Sequence, residues 1–457
     1  MSDQNFDIVV LGGGSAGYAV ALRAVQLGKT VAIVEKDKLG GTCLHRGCVP
    51  TKATLHSAEI ADEAREAAKY GVNVEFQGID AEKVKAFREG IVATKFKGIQ
   101  GLISAKGVTV FAGEGKLTGP KTIQVGDDTL QAGNIVLATG SYSKSLPGLD
   151  IEGRVITSEQ ALMMDWTPKR AIVLGGGVIG VEFASLWRSF GAEVTIIEGL
   201  PHLVPNEEEV VSKGLERAFK KRGISFKLGA RFAGVEQSDQ GVKVSTEDGN
   251  TYEADLLLVA VGRGPVTSDI GLEDVGVELD SGFVTVNDRL ETSVPGIYAV
   301  GDIVPGLQLA HRGYQQGIFV AEEIAGQSPR IVEDVNIPKI TYCEPQVASV
   351  GLSEAAAKEQ HGEDAIEAYE FNLAGNAKSS ILGTSGFAKM VRVKDGPIVG
   401  VHMLGARVGE LIGEAQLIVN WDAYPEDVAQ LVHAHPTQNE ILGEAAMKLA
   451  GQPLHAI

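Results

Sequence analysis

One thirty-residue pattern occurs twice in this chain, 163 positions apart, and it restricts the possible folds more than any other feature. Residues 7–36 read DIVVLGGGSAGYAVALRAVQLGKTVAIVEK, and residues 170–199 read RAIVLGGGVIGVEFASLWRSFGAEVTIIEG. Each copy opens with an apolar run of strand length, as in a parallel strand buried on both faces. Each continues into Gly-x-Gly-x-x-Gly, with Gly12, Gly14 and Gly17 in the first and Gly175, Gly177 and Gly180 in the second. A helical stretch follows, with Ala21 or Ala184 four positions on, and then a β-branched strand ending in Glu35 or Glu198. In both copies the acid lies 18 residues past the last glycine. The first glycine makes the turn, the second lets the backbone approach a pyrophosphate, and the third lets the helix pack on the strand. The pyrophosphate meets the free N–H groups of the helix start, and the acid hydrogen-bonds a ribose hydroxyl. The repeat therefore predicts an α/β fold with two Rossmann-like nucleotide-binding domains, and two nucleotides. Val178 and Ile179 share the second turn with its glycines. No Arg or Lys follows Glu198 before Lys213, so a 2′-phosphate would meet a carboxylate and no cation. That favours NAD over NADP.

Right after the first unit comes Gly40-Gly41-Thr42-Cys43-Leu44-His45-Arg46-Gly47-Cys48-Val49-Pro50-Thr51-Lys52. Two of the chain's three cysteines stand five positions apart here. No second Cys/His pair with metal spacing accompanies them, so a four-ligand zinc site does not fit, and no metal is expected. Pro50 and its polar lead-in predict a helix from there to about residue 68. Thiols in a first helical turn ionise more readily, and a thiolate beside an oxidised flavin can donate electrons to it. The bland alternative is a cysteine pair buried for packing.

This segment resembles the redox-active disulfide motif of the class I flavoprotein disulfide reductases. The family pattern commonly has Asn at His45 and Ser at Thr51, and neither change removes a thiol. The resemblance implies a tightly bound, non-covalent FAD, an NAD site and a Cys43–Cys48 disulfide. It gives Cys43 the exchange with substrate, Cys48 the place facing the flavin, and Lys52 a partner in Glu182. Further stations match. Residues 137–141, ending in Thr139, Gly140 and Ser141, resemble the segment that closes the first flavin-binding stretch. Residues 260–265 are its counterpart in the second domain and contain Gly262; Val266 replaces a common Asn. Residues 294–302 resemble the second flavin motif, which makes Asp302 the ribityl partner and carries Gln308, Leu309, Ala310 and His311 past the ring. Gly41, Thr42 and Gly115 are expected flavin contacts as well.

Domains are expected at 1–145 (FAD and redox pair), 146–271 (NAD), 272–335 (a return to the FAD domain) and 336–457 (a C-terminal α+β dimerisation domain). In the last, strands are expected at 341–342, 347–351, 386–393 and 399–405, and helices near 409–420 and 426–432. Cys343 stands alone there and reads as a small core residue.

Near the end stands His433-Ala434-His435-Pro436-Thr437-Gln438-Asn439-Glu440. A carboxylate five residues beyond His435 can hold the ring and raise its basicity. The pattern resembles the family's His-Pro-Thr…Glu dyad, which acts across a two-fold axis on the partner's disulfide; Asn439 replaces a common Ser. The His-x-His form resembles the members that oxidise dihydrolipoamide. That branch implies a homodimer working with lipoyl-bearing domains and the acyltransferase core of 2-oxo acid dehydrogenase complexes, or with glycine cleavage. A glutathione or coenzyme A disulfide substrate, and a non-catalytic assembly subunit, are the alternatives.

Charge and hydropathy exclude other roles. With 41 basic and 59 acidic residues the net charge is −18, which repels phosphate backbones and argues against nucleic-acid binding. No window approaches 18 uninterrupted apolar residues, so no membrane span is expected. The first five residues lack a basic region, so a signal peptide is not expected, and a cytoplasmic location is the default.

Overall fold

The computed structural model describes residues 3–456; Met1, Ser2 and Ile457 lie outside them, including part of the stretch weighed as a leader. The first repeat copy forms the strand Asp3–Leu11, the helix Ser15–Gln26 and the strand Val31–Glu35. These strands run parallel with Thr109–Ala112 on one side and Asp128–Leu137 on the other. The strand Ile297–Ala299, from far down the chain, joins the same sheet parallel to Asp128–Leu137. The helix Ala310–Ile324 then lies along Ser15–Gln26. Glycine makes that contact possible: a Cβ at Gly317 would sit 2.5 Å from the Ala16 carbonyl oxygen.

The second copy builds a five-stranded parallel sheet in the order Ser225–Lys227, Glu193–Ile197, Arg170–Leu174, Leu256–Val259, Val155–Thr157. The chain leaves the first nucleotide domain at Ser141–Ser143 and returns at Arg263–Pro265. These two passages pair antiparallel, so both crossings share one small sheet.

The C-terminal unit is a five-stranded antiparallel sheet, ordered Lys339–Thr341, Gln346–Gly351, Ile398–Gly405, Phe387–Val393, Ile366–Asn372. Its apolar face, with Val350, Met390 and Met403, packs on Leu411, Ile412 and Ala415 of the helix Val408–Asn420 and on Ile441 and Ala445 of Glu440–Leu449. The first strand ends one residue short of the expected Tyr342. The expected helix at 426–432 is the shorter Pro425–Ala429, which leaves Leu431 and Val432 outside it. The strand Ile366–Asn372 was not anticipated. It is an edge strand carrying Glu367 and Glu370, and charges of that kind blunt an edge while hiding its alternation. The helix Ala81–Ala105 also escaped notice, because it buries only Arg88 and Ile103 and so shows little periodicity. Among the described residues no helix is long and apolar enough to cross a membrane.

The redox segment departs from the expected single helix. A six-residue helix, Gly41–Arg46, carries Cys43, and a separate helix, Cys48–Glu66, begins two residues before Pro50. Only Cys48 therefore occupies the first turn of the long helix.

Candidate active site

The two glycine loops match atom for atom. Glu35 accepts the N–H groups of Gly13 and Asp37 at 2.7 and 2.8 Å. Glu198 accepts those of Gly176 and Leu200 at 2.6 and 2.7 Å. Among the described residues no cation pairs with either acid. The outer glycines are demanded by the chain itself. A Cβ at Gly12 would lie 2.2 Å from the Ala138 oxygen and one at Gly17 would lie 1.9 Å from the Gly12 oxygen; Gly175 and Gly180 repeat this at 2.3 and 1.9 Å. The middle glycines are not. A Cβ at Gly14 would come no nearer than 3.9 Å to another atom, and one at Gly177 would meet nothing within 4 Å. Both have ordinary negative φ and begin helices that lack a side-chain cap and any acid in the first turn. Nothing in the polypeptide explains these glycines, whereas a pyrophosphate lying against bare N–H groups does. The cradles fit two nucleotides.

Cys43 and Cys48 come together on the two short-spaced helices and stand as free thiols. The hydrogen bond between them separates their acidities. It raises Cys43, with burial adding to the effect, while the Ser15 hydroxyl and Lys52 oppose. It lowers Cys48 to about 7, and Lys52 adds to that against the effect of burial. Cys48 is thus the sulfur that holds negative charge, and Cys43 the one that keeps a proton. Lys52, one turn along, donates to both oxygens of the buried Glu182 at 3.0 and 2.8 Å. Burial works against the lysine's charge, but Glu182 prevails and its pKa is raised. Glu182 also accepts the Tyr342 N–H at 2.9 Å, and the Tyr342 ring centroid lies 4.7 Å from Lys52 Nζ. Lys52 comes from the first nucleotide domain, Glu182 from the second and Tyr342 from the C-terminal unit. Sequence reasoning missed Tyr342, which has no spacing to mark it.

The other expected flavin contacts line the seam between these units. Ser141 Oγ donates to Asp302 at 2.5 Å and receives Arg263 Nε at 2.8 Å. Thr139 donates to the Val266 carbonyl at 2.6 Å, and the Val266 N–H returns to Gly140. Val266 thus ties the two crossings through its backbone, which any residue supplies. Gly140 and Gly262 have positive φ and open space where a side chain would be. Leu309 caps the helix that starts at Ala310 and His311, and no side chain satisfies its first N–H groups. Gln308 reaches the Asp302 carbonyl at 3.4 Å, and His311 is held on the Pro338 carbonyl at 2.7 Å. Gly41 abuts Gly14, where a Cβ would lie 2.8 Å from its Cα, and Thr42 follows it beside Cys43. Gly115 is explained by packing alone, since a Cβ there would strike Leu11 and Val34. His45 reaches back to the Leu39 carbonyl at 2.9 Å, and Thr51 donates to the Gly47 carbonyl at 2.7 Å. Cys343 is buried, and burial raises its thiol pKa.

His435 Nδ1 lies 2.8 Å from Glu440 Oε1, while Thr437 N–H donates to Oε2 at 2.8 Å. The imidazole is 70% exposed. A second pair holds the same segment: His433 Nε2 sits 2.7 Å from Glu414, whose other oxygen receives the Asn439 amide at 2.6 Å. Glu414 was not foreseen, lying 19 residues upstream of its histidine, in the helix Val408–Asn420. Among the described residues no hydrogen bond or ion pair joins this dyad to Cys43 or Cys48 of the same chain. In the same C-terminal unit Trp421, Leu431 and Val432 are 73%, 58% and 98% exposed.

Comparison with known proteins agrees with this arrangement. Residues 6–317 match the family described as pyridine nucleotide-disulphide oxidoreductase, and residues 337–446 match its dimerisation domain. The dihydrolipoyl dehydrogenase of Bacillus subtilis (strain 168) is 40% identical, covering 98% of this chain and 99% of the relative. The mitochondrial dihydrolipoyl dehydrogenase of Pisum sativum is 39% identical over 99% of this chain and 93% of its own length. A leghemoglobin reductase of Glycine max is also 39% identical, over 99% of this chain and 89% of its own. The crystal structure of LpdA from Mycobacterium tuberculosis superposes with a TM-score of 0.90 at 28% identity, covering 98% and 99% of the two chains.

Proposed function

The chain belongs to the pyridine nucleotide-disulphide oxidoreductase family, and from that premise we propose that it is an FAD- and NAD-dependent dihydrolipoyl dehydrogenase. The observation that carries the reading is the Cys43–Cys48 pair, two thiols brought together at the start of the helix that carries Lys52, which is paired with the buried Glu182. Gly12, Gly14, Gly17 and Glu35, with Ser141 and Asp302, hold the FAD. Gly175, Gly177, Gly180 and Glu198 hold the NAD, and the unpaired carboxylate of Glu198 disfavours a 2′-phosphate. When bound, the flavin supplies a two-electron acceptor for the dithiol and a hydride donor for the nicotinamide.

The chain's own residues do the rest. The working form is a homodimer in which His435 of one chain meets the thiol pair of the other; the exposed Trp421, Leu431 and Val432 and the matched dimerisation domain support it. With Nδ1 fixed on Glu440, His435 Nε2 takes a proton from one thiol of dihydrolipoamide. The thiolate attacks Cys43 Sγ of the Cys43–Cys48 disulfide, breaking that bond and leaving Cys48 as thiolate. The second substrate thiol attacks the substrate sulfur bound to Cys43, closing the lipoamide ring and passing its proton to the departing Cys43 sulfur. Cys43 leaves with a proton, as its raised pKa favours, and Cys48 retains the charge that Lys52 steadies. The protein-bound substrate comes on lipoyl domains attached to the acyltransferase core of a 2-oxo acid dehydrogenase complex or on the glycine cleavage carrier.

Purified flavoprotein given dihydrolipoamide should reduce NAD⁺ and scarcely reduce NADP⁺. With NADH as donor it should reduce lipoamide far faster than glutathione or coenzyme A disulfides. A preference for either of those disulfides would sink the reading, and so would full activity in Cys48→Ser.

A further inference from the structure

We propose that Tyr342 is a positioning residue of the dithiol site: its ring, delivered by the C-terminal domain, holds the Lys52 ammonium where it steadies Cys48 as a thiolate. The inference rests on the reading of Cys43 and Cys48 as the redox pair and adds to it the third domain of the fold.

The geometry points to it in three steps. Lys52 already spends two donors on Glu182, at 3.0 and 2.8 Å. A lysine so held can still swing about its flexible stem. The Tyr342 ring, with its centroid 4.7 Å from Nζ, closes another side by cation–π attraction. The same residue fixes the carboxylate, since its N–H donates to Glu182 Oε1. Tyr342 is itself fastened. Two residues on, the Glu344 N–H donates to Ser185 Oγ at 2.9 Å, one turn along the helix that carries Glu182. Arg222 locks that contact, donating to the Glu344 carbonyl at 2.9 Å, to Ser185 at 2.7 Å and to Asp62 of the cysteine-bearing helix at 2.9 Å. Segment 342–344 thus runs as a strap along the second domain's helix, with the ring at its end over Lys52.

Electrostatics says why the position matters. The groups that act on Cys48 are Cys43, Lys52 and Glu182, and those around Tyr342 are Lys52, Glu182, Glu410 and Cys48. Lys52 is the one cation among them. Without it held close, Glu182 opposes a negative sulfur, and only the hydrogen bonds from Cys43 and from the Cys48 backbone remain in its favour.

The test is the pH dependence of iodoacetamide labelling of the reduced holoenzyme, read at each cysteine by mass spectrometry. The two thiols share one titration, so label on either reports the thiolate. Wild type should label with a midpoint near neutrality. Tyr342→Phe keeps the ring and should match it. Tyr342→Leu removes the ring, leaves the backbone N–H, and should raise the midpoint by roughly 0.5 to 1.5 pH units. Should that variant fail to accumulate as a folded flavoprotein, Tyr342→Met is measured in its place with the same expectation. A ringless variant whose midpoint coincides with wild type overturns the role of Tyr342. A wild type with no thiolate near neutrality overturns the redox-pair reading instead, so the two failures are distinct.

Discussion

His433 shows how a single residue can be visible in the sequence while its purpose is not. Its bond to Glu414 raises its pKa against the effect of burial, and the same bond, with Asn439, lowers Glu414 although burial pushes that acid up. The raised histidine gives stability that is complete below its ordinary pKa and lost as pH rises through the folded value. The lowered glutamate gives stability present above its ordinary pKa and lost as pH falls through the folded one. The pair therefore holds best between those limits. His433→Gln should lower the thermal midpoint at pH 6, at a cost of about 1 kcal/mol for this partly buried pair, and should matter little at pH 9. An equal loss at both pH values would mean that the pairing is not what the histidine contributes. His435, Glu440, Cys43 and Cys48 were legible because short spacing marks them. Glu414 and Tyr342 were not, because they meet their partners only through folding. The departures at His45, Thr51, Val266 and Asn439 proved local: each makes its own contact, through a backbone group or a new side-chain bond.

At the level of elements, the doubled strand–loop–helix unit was readable because its glycines obey two different constraints. Gly17 must be glycine for the helix to lie on its strand, whereas Gly14 is glycine for something beyond the chain. Gly17→Ala should destabilise the protein by about 3 kcal/mol, as an overlap that no rotamer relieves. Gly14→Ala should leave the melting of the flavin-free chain within about 0.5 kcal/mol of wild type. It should nonetheless be purified with little flavin, measured as absorbance per chain. Full flavin content in Gly14→Ala would remove the reason for placing a pyrophosphate there. The elements that escaped the sequence share a cause. The helix Ala81–Ala105 and the strand Ile366–Asn372 bury too little on one face to leave a period. The break between Gly41–Arg46 and Cys48–Glu66 sits at Gly47, where a Cβ would press on the Thr42 carbonyl at 3.0 Å. It sets Cys43 and Cys48 on separate helices, so that the two thiols face each other with different neighbours.

Over the whole molecule the chemistry is assembled from parts that lie far apart in sequence. Lys52, Glu182 and Tyr342 knit three domains at one carboxylate, yet among the described residues no hydrogen bond or ion pair joins the His435–Glu440 dyad to any of them. Trp421 and Val432 of the same unit are exposed, and in the proposed dimer a second copy would bring the dyad there. In the proposed two-fold dimer this arrangement would be reciprocal, each chain's dyad serving the other's thiols. That can be read directly from NADH formation by mixed dimers. Cys48→Ser and His435→Gln are each purified, found inactive alone, then unfolded together and reassembled with FAD in equal amounts. If the thiols and the dyad of one site come from different chains, half of the dimers are mixed and each has one intact site. Activity should then return to roughly a quarter of that of wild type treated the same way. No recovery, with mixed dimers shown to have formed, would mean that each chain works with its own histidine and would contradict a site shared between chains.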